Sequence, residues 1–167
     1  MKTKLFILAI ATLISIQTVF SQTEKQVTSI RTEVTAINKA AKKYSKKTKN
    51  VEGISLEGTE ATYFTSGKGL KKITAKMYGE TFKATAELYY QGEELIFAYE
   101  KMNRYNGHIA MNPSPKIAKV EEKRLYFSGG KLIKLLIGKV NVKEGSQQWI
   151  ESEGDMVDLA KTLKDAH

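Results

Sequence analysis

The middle of the chain alternates between apolar and polar residues with a period of two. In residues 70–78, Ile73, Ala75 and Met77 alternate with lysine and threonine, and residues 82–89 alternate in the same way. This pattern predicts antiparallel strands that bury one face and leave the other in water. Four more runs predict strands at 60–65, 95–104, 117–127 and 132–137.

Three predicted hairpin corners share one sequence pattern, in residues 63–70, 89–95 and 126–132. Each has an aromatic pair, a short turn that contains glycine, and a leucine that begins the next strand. Glycine favours such turns because it adopts backbone conformations that other residues avoid. Consecutive hairpins predict a meander. The run 95–99 is apolar throughout, which indicates a strand that is covered on both sides at one end.

Residues 23–49 predict a long N-terminal helix, because apolar residues recur at spacings of three and four. These residues are Val27, Ile30, Val34, Ile37, Ala41 and Tyr44. The run 138–145 is mixed and could extend the sixth strand. From residue 152, a similar apolar spacing predicts a short C-terminal helix. We expect the long helix to pack on the side of Ala84 and Ala86, where small side chains leave room.

The fold class that follows is α+β, a single domain over residues 22–167. A long N-terminal helix packs on a curved antiparallel meander sheet of about six strands, and a short C-terminal helix follows. The long connection between residues 105 and 115, which contains both prolines, is where the simple strand order could fail.

The first 21 residues are typical of a secretory signal peptide. Lys2 and Lys4 precede an apolar run over 5–16, and cleavage is expected between Ser21 and Gln22. The run is short for a membrane span, so no span is expected after cleavage. No cysteine follows, which excludes a lipid anchor on a thiol. The sequence therefore predicts an exported protein, periplasmic or secreted.

Charge and cysteine content narrow the possible partners. The chain has a formal charge of +9 and no cysteine, so thiol chemistry and disulfides are excluded. A basic exported protein favours contact with an anionic surface, a glycan or an acidic protein. Nucleic acid is not expected in that compartment. The lysines between 42 and 49 suit the negative end of a helix, or else an anionic partner.

Familiar catalytic and metal-binding motifs are missing from the sequence. The two histidines, His108 and His167, lie far apart, and no zinc-binding or nucleophile-elbow pattern occurs. No cofactor is expected. The adjacent pairs 93–94 and 121–122 would point to opposite faces of a strand, so neither is an acid–base pair by itself. The sequence favours a protein that is not an enzyme.

Two groups of residues are candidates for binding. The loop 104–112 gathers Arg104, Tyr105 and His108, and loops often carry binding residues. The polar face of the sheet would combine Lys83 and Tyr89 with further lysines and tyrosines, which suits sugars, anionic polymers or proteins. The alternatives are a solvated loop and an ordinary solvated sheet face.

The phrases YGETFKATAELYYQGEELIFAYEK (78–101) and KVEEKRLYFSGGKLIKLLIG (119–138) resemble small exported proteins of Bacteroidetes-type bacteria. The corner pattern is also similar to the hairpin repeats of some toxin-immunity proteins. These resemblances imply hairpin structure and export, and they carry no catalytic residue.

The first functional hypothesis is an exported, non-enzymatic binding or interaction protein that uses the sheet face or the loop 104–112. A second is a small hydrolase or ligand carrier with its site in the concavity of the sheet. A third is an inhibitor of an envelope enzyme. A cavity above about 300 Å³ between helix and sheet would favour the second hypothesis.

Overall fold

A computed structural model of the chain describes residues 22–67, 69–112 and 114–167. The predicted signal peptide lies outside the described residues. Helix α1 occupies residues 22–40 and is followed by a 3-10 turn, Ala41–Lys43. Helix α2, Gln147–Asp165, lies at the C-terminal end. Neither helix, nor any other in the described ranges, is long and apolar enough to cross a membrane.

Within the described residues, eight strands form one antiparallel sheet in which each strand pairs only with its neighbours in the chain. The predicted α+β class and meander are confirmed, with eight strands instead of about six. The strands are β1 Ser45–Val51, β2 Thr59–Ser66, β3 Gly69–Gly79, β4 Phe82–Gln91, β5 Glu94–Tyr105, β6 Ile117–Ser128, β7 Lys131–Ile137 and β8 Val140–Asn141.

The predicted helix over 23–49 is too long, because its lysine-rich end forms β1. Tyr44 has extended backbone angles and ends the helical region. The segment Ser45–Val51 has no apolar residue before Val51, so it offers a helix no stripe to bury. Pairing with β2 satisfies the backbone groups on its inner side instead, and lysines are common on such edge strands.

The C-terminal region also differs from the prediction. Gly138, at a φ of 59°, turns the chain back, so Val140 pairs with Ile137 and the sixth predicted strand is not extended. Helix α2 begins five residues earlier than predicted, at Gln147. Its start is fixed by Ser146, whose side chain accepts a hydrogen bond from the backbone N–H of Trp149.

The three corners with a common sequence pattern also share one β-bulge. In each, the residue after the leucine has no partner across the hairpin; we call Lys71, Ile96 and Ile133 the corner bulges. An extra residue lets two neighbours face the same side of a sheet. Ile96 and Phe97 accordingly both belong to the core under α1. This explains the unbroken apolar run in residues 95–99.

The two helices cover opposite faces of the sheet. Under α2 lies a core that includes Ala84, Ala86 and Leu88, packed with Trp149, Met156 and Leu163. The expectation that the long helix covers this face is wrong. Its apolar residues Val27, Ile30 and Ile37 pack instead on the other face, against Tyr89, Ile96 and Tyr126. Both faces carry apolar residues at this end, because Ile96 and Ile133 at two of the corner bulges lie on the α1 side, while Leu95 and Leu132 stay on the α2 side.

Polar contacts fix α1 across the strands. Near its start, Glu24 forms a 2.6 Å ion pair with Lys134 of β7. Near its end, the side-chain amide of Asn38 donates to the Tyr89 hydroxyl of β4 at 3.0 Å. The helix therefore crosses the sheet diagonally and ends near the sheet edge, where β1 begins.

The turn between β3 and β4 depends on a close approach at Gly79. Gly79 pairs with Phe82, so the two turn residues are Glu80 and Thr81. A Cβ atom built on Gly79 would lie 2.3 Å from the ring of Phe82. The glycine thus makes room for the aromatic ring that lies across from it.

Replacing Gly79 by alanine should lower the free energy of unfolding by about 1–3 kcal/mol, as other overpacked sites do. Urea denaturation monitored by tryptophan fluorescence would measure the change. In a Phe82→Leu background the cost should shrink, because the ring is gone. The control is Gly154→Ala in the middle of α2, where space is open and a gain of about 0.5–1 kcal/mol is expected. Equal losses at both glycines would contradict the contact.

Candidate functional site: a pocket beneath the C-terminal helix

A pocket of about 360 Å³ lies between α2 and the corners of two hairpins, β4–β5 and β6–β7. We call it the α2 pocket. Its apolar lining comes from Tyr90, Leu95, Phe127, Val157 and Ala160, and its charged residues are Glu93, Glu94, Lys161, Lys164 and Asp165. This volume exceeds the value of about 300 Å³ expected for the second hypothesis, which was a small hydrolase or a ligand carrier.

The repeated hairpin corner positions the pocket lining. Tyr90 pairs with Leu95 in one hairpin, and Phe127 pairs with Leu132 in the next, so the two aromatic residues occupy equivalent positions. Both belong to the core beneath α2. The facing residue on the helix is the small Ala160, and Gly130 has no side chain, so space remains between the two layers.

Tyr90 is the unusual member of the lining. The residue is 2% exposed, and its buried hydroxyl has no hydrogen-bond partner among the described residues. Burial, with a smaller contribution from nearby Tyr63, raises the pKa of Tyr90 well above its ordinary value. Like any tyrosine at neutral pH, Tyr90 keeps its hydroxyl proton, and the raised pKa extends this to more alkaline solution. Leaving such a group unpaired costs about 1–3 kcal/mol.

The other buried tyrosines beside the helices are paired. The Tyr63 hydroxyl donates to the backbone carbonyl of Leu163 at 2.9 Å, and the Tyr89 hydroxyl lies in a network described below. Phe127, at the position equivalent to Tyr90, shows that this hairpin corner forms without a hydroxyl. A buried polar group that has no partner among the described residues and is not needed by the fold calls for an explanation.

An ion pair ties the two sides of the α2 pocket together. The Lys164 ammonium lies 2.7 Å from a carboxylate oxygen of Glu93 and donates to the Glu93 carbonyl at 3.0 Å. Hydrogen bonding and charge from Lys164 lower the pKa of Glu93. The pair links the β4–β5 turn to the last turn of α2. With two lysines against three acids, the charged residues of the pocket nearly balance.

A second polar cluster, of Asn38, Lys72, Glu87 and Tyr89, lies beneath the end of α1. Lys72 is 8% exposed, and its ammonium lies 2.8 Å from Glu87, 2.9 Å from the Tyr89 hydroxyl and 3.1 Å from Asn38. Burial opposes ionisation of Glu87, but hydrogen bonds from Lys72 and Tyr89 outweigh it, and the pKa of Glu87 is lowered. All three ammonium protons have acceptors. The cluster holds α1 in place.

The predicted sheet-face site is divided by α1. Tyr89 is buried beneath the helix, so it is not accessible to a partner. Lys83 is exposed, on the part of the same face that α1 leaves open, beside Tyr78 and Asn103 on the adjacent strands. The structure therefore does not bring Lys83 and Tyr89 to one accessible surface.

The structure also does not gather the predicted residues of the loop 104–112 into one site, because each of them contacts different residues of the protein. Arg104 donates to Glu121 on β6 at 2.7 Å. His108 contacts Glu80 at 2.7 Å through Nε2, and its Nδ1 accepts from the backbone N–H of Ala110. The backbone N–H of Tyr105 donates to Thr81 at 2.8 Å. These contacts hold the described part of the loop against the β3–β4 turn.

Sequence reasoning missed the α2 pocket, although one signal for it exists. Tyr89 and Tyr90 are neighbours in a strand and must face opposite sides, and Tyr90 aligns with Phe127 in the corner pattern. The contribution of Val157 and Ala160 could not be read from that pattern, since it depends on how α2 packs. Within the described ranges, no cluster of three or more histidine, aspartate or glutamate side chains could hold a metal ion.

Comparisons of the chain with protein-family models, with curated proteins and with solved structures found no match. The resemblance to small exported proteins of Bacteroidetes-type bacteria stays a prediction.

Tyr90→Phe should raise the free energy of unfolding by about 1–2 kcal/mol, because it removes an unpaired buried hydroxyl. Tyr63→Phe is the matched control, since it removes a paired hydroxyl from the same face of the sheet. It should lower the free energy by about 1 kcal/mol. Urea titrations of the ligand-free proteins would measure both changes. A loss of stability in Tyr90→Phe as large as that in Tyr63→Phe would show that the Tyr90 hydroxyl has a partner.

Proposed function

We propose that the protein is an exported, non-enzymatic carrier that binds a small and largely apolar molecule in the α2 pocket. The observation that carries this proposal is the buried, unpartnered hydroxyl of Tyr90, which belongs to a pocket lined by apolar residues together with five charged ones. Export, to the periplasm or beyond, is part of the proposal and rests on the signal-peptide pattern of residues 1–21.

The lining favours a neutral ligand with one hydrogen-bond acceptor. Leu95, Phe127 and Val157 suit an apolar body, and the neutral Tyr90 hydroxyl can donate to a ketone, ester or ether oxygen. Since Lys164 is already paired with Glu93, neither charge is free for a ligand. A pocket of about 360 Å³ is at the small end of ligand sites, so the molecule has few heavy atoms.

A carrier has more support than a hydrolase at this site. Hydrolysis needs a nucleophile or an activated water beside a general base. The described lining of the α2 pocket contains no serine, threonine or histidine, and one of its acids, Glu93, is held by Lys164. Binding through the sheet face or the loop 104–112 has less support, because Tyr89 is buried and Arg104 and His108 contact acids of the protein itself.

Acetophenone and ethylbenzene form a matched pair of probes, because they share a shape and only the ketone can accept a hydrogen bond. Chemical-shift titration of the 15N-labelled protein should give saturable shifts around the α2 pocket with both. Tyr90→Phe should reduce the affinity for acetophenone, relative to ethylbenzene, by about 3–10-fold, the value of one hydrogen bond.

Tyr63→Phe should leave the ratio of the two affinities unchanged. The absence of saturable shifts with either probe would overturn the carrier proposal. An unchanged ratio in Tyr90→Phe would show that the hydroxyl does not contact the ligand.

A further inference from the structure

The two edges of the sheet differ in length. Strand β8, at one edge, has only two residues, and β1, at the other, has seven. The register between β1 and β2 runs without a shift from Ser45, opposite Thr65, to Val51, opposite Thr59. On its outer side, β1 has no backbone hydrogen bond to any described residue. A long regular edge of this kind offers unpaired N–H and C=O groups to another strand.

The positive charge of the protein is concentrated at this edge and in the helix before it. Residues 22–51 contain eight lysines and arginines and two glutamates, a formal charge of +6. Residues 52–167 contain seventeen and sixteen, a formal charge of +1. None of the eight cations forms an ion pair with an acidic side chain within the described part of the chain, although Lys49 donates to the main-chain oxygens of Ala166 and His167. We call residues 42–51, with five of these lysines, the basic edge.

Lysines on an edge strand also have a purely protective role, because they repel a second copy of the same edge. Lys42 and Lys43 precede the strand and lie in the last helical turn, where cations also suit the helix end. The same charges attract a strand of opposite sign, so they select a partner as well as prevent self-association. Lys46 and Lys47 lie on opposite faces of β1, and an added acidic strand would therefore find a lysine on either face.

The basic edge leads into a cleft lined by residues 50–60 and Tyr78, with a volume of about 720 Å³. Leu56 in this cleft is 90% exposed. The cleft also contains Glu52, Glu57 and Glu60, so the exposed leucine suits an uncharged, apolar end of a partner segment. The edge and the cleft are continuous, since Asn50 and Val51 belong to both.

We propose that β1 binds an acidic, extended segment of another protein by strand addition, with an apolar residue at one end of the segment in the cleft. Backbone hydrogen bonds to β1 would supply affinity, and the lysines would set the charge of the sequence that is accepted. This inference is independent of the α2 pocket, which lies at other residues.

The probe is an end-blocked octapeptide in which glutamate alternates with valine and threonine and the last residue is leucine. Fluorescence anisotropy of the labelled peptide with the full mature chain should show saturable binding that weakens as NaCl rises. The same peptide, N-methylated at alternate residues, keeps its charge and loses backbone donors. It should bind at least about tenfold more weakly if strand addition is the mode.

Two double variants distinguish an effect of the basic edge on peptide affinity from an effect of the protein's net charge. Lys46→Glu with Lys47→Glu should weaken peptide binding by about tenfold or more, because two attractions become repulsions. Lys139→Glu with Lys143→Glu makes the same charge change at exposed residues beside β8 and should change affinity by less than about twofold. Urea titrations of both variants would establish that each is folded.

Three outcomes would overturn the inference. These outcomes are a failure of the acidic peptide to bind, equally tight binding of the N-methylated peptide, and an equal loss of affinity in both double variants. Binding to phosphatidylglycerol vesicles without binding to the peptide would assign the basic edge to a membrane surface instead.

Discussion

The extra residue at each hairpin corner is the constraint on which the rest of the structure depends. Strand residues alternate between faces, and a shift of one residue would send every side chain to the opposite side. Each corner bulge absorbs that shift, so Leu95 stays beneath α2 while Ile96 and Phe97 both reach α1. One sheet can thereby bury both faces near the corners, under a helix on each side.

This arrangement gives two adjacent tyrosines opposite roles. Tyr89 faces α1, where Lys72, Glu87 and Asn38 pair its hydroxyl and fix the helix. Tyr90 faces α2, where its hydroxyl has no partner among the described residues. The fold bears a stability cost at Tyr90 that phenylalanine would avoid, as Phe127 does in the next hairpin. Functional sites are where proteins keep such costs.

The sequence predicted the strands and turns that depend on local patterns. It did not predict the strand pairing and helix packing that depend on contacts between distant residues. Alternation and turn glycines located β2 to β7, because strand period and hairpin chemistry are local. The sequence predicted a helix through the lysine-rich residues 45–49, since the pairing of residues 45–51 with 59–65 leaves no local signal. Which helix covers which face could not be predicted either, as both faces are apolar near the corners. Tyr90 and Ala160 come together only through the packing of α2.

The central claim is that the Tyr90 hydroxyl is held without a partner so that it can bind a ligand. A crystal structure at high resolution, determined after soaking with acetophenone, tests it most directly. The account predicts the ketone oxygen at about 2.5–3.0 Å from the Tyr90 hydroxyl oxygen, with the ring against Leu95, Phe127 and Val157. A Tyr90 hydroxyl bonded to a protein group, with the probe bound elsewhere, would contradict it.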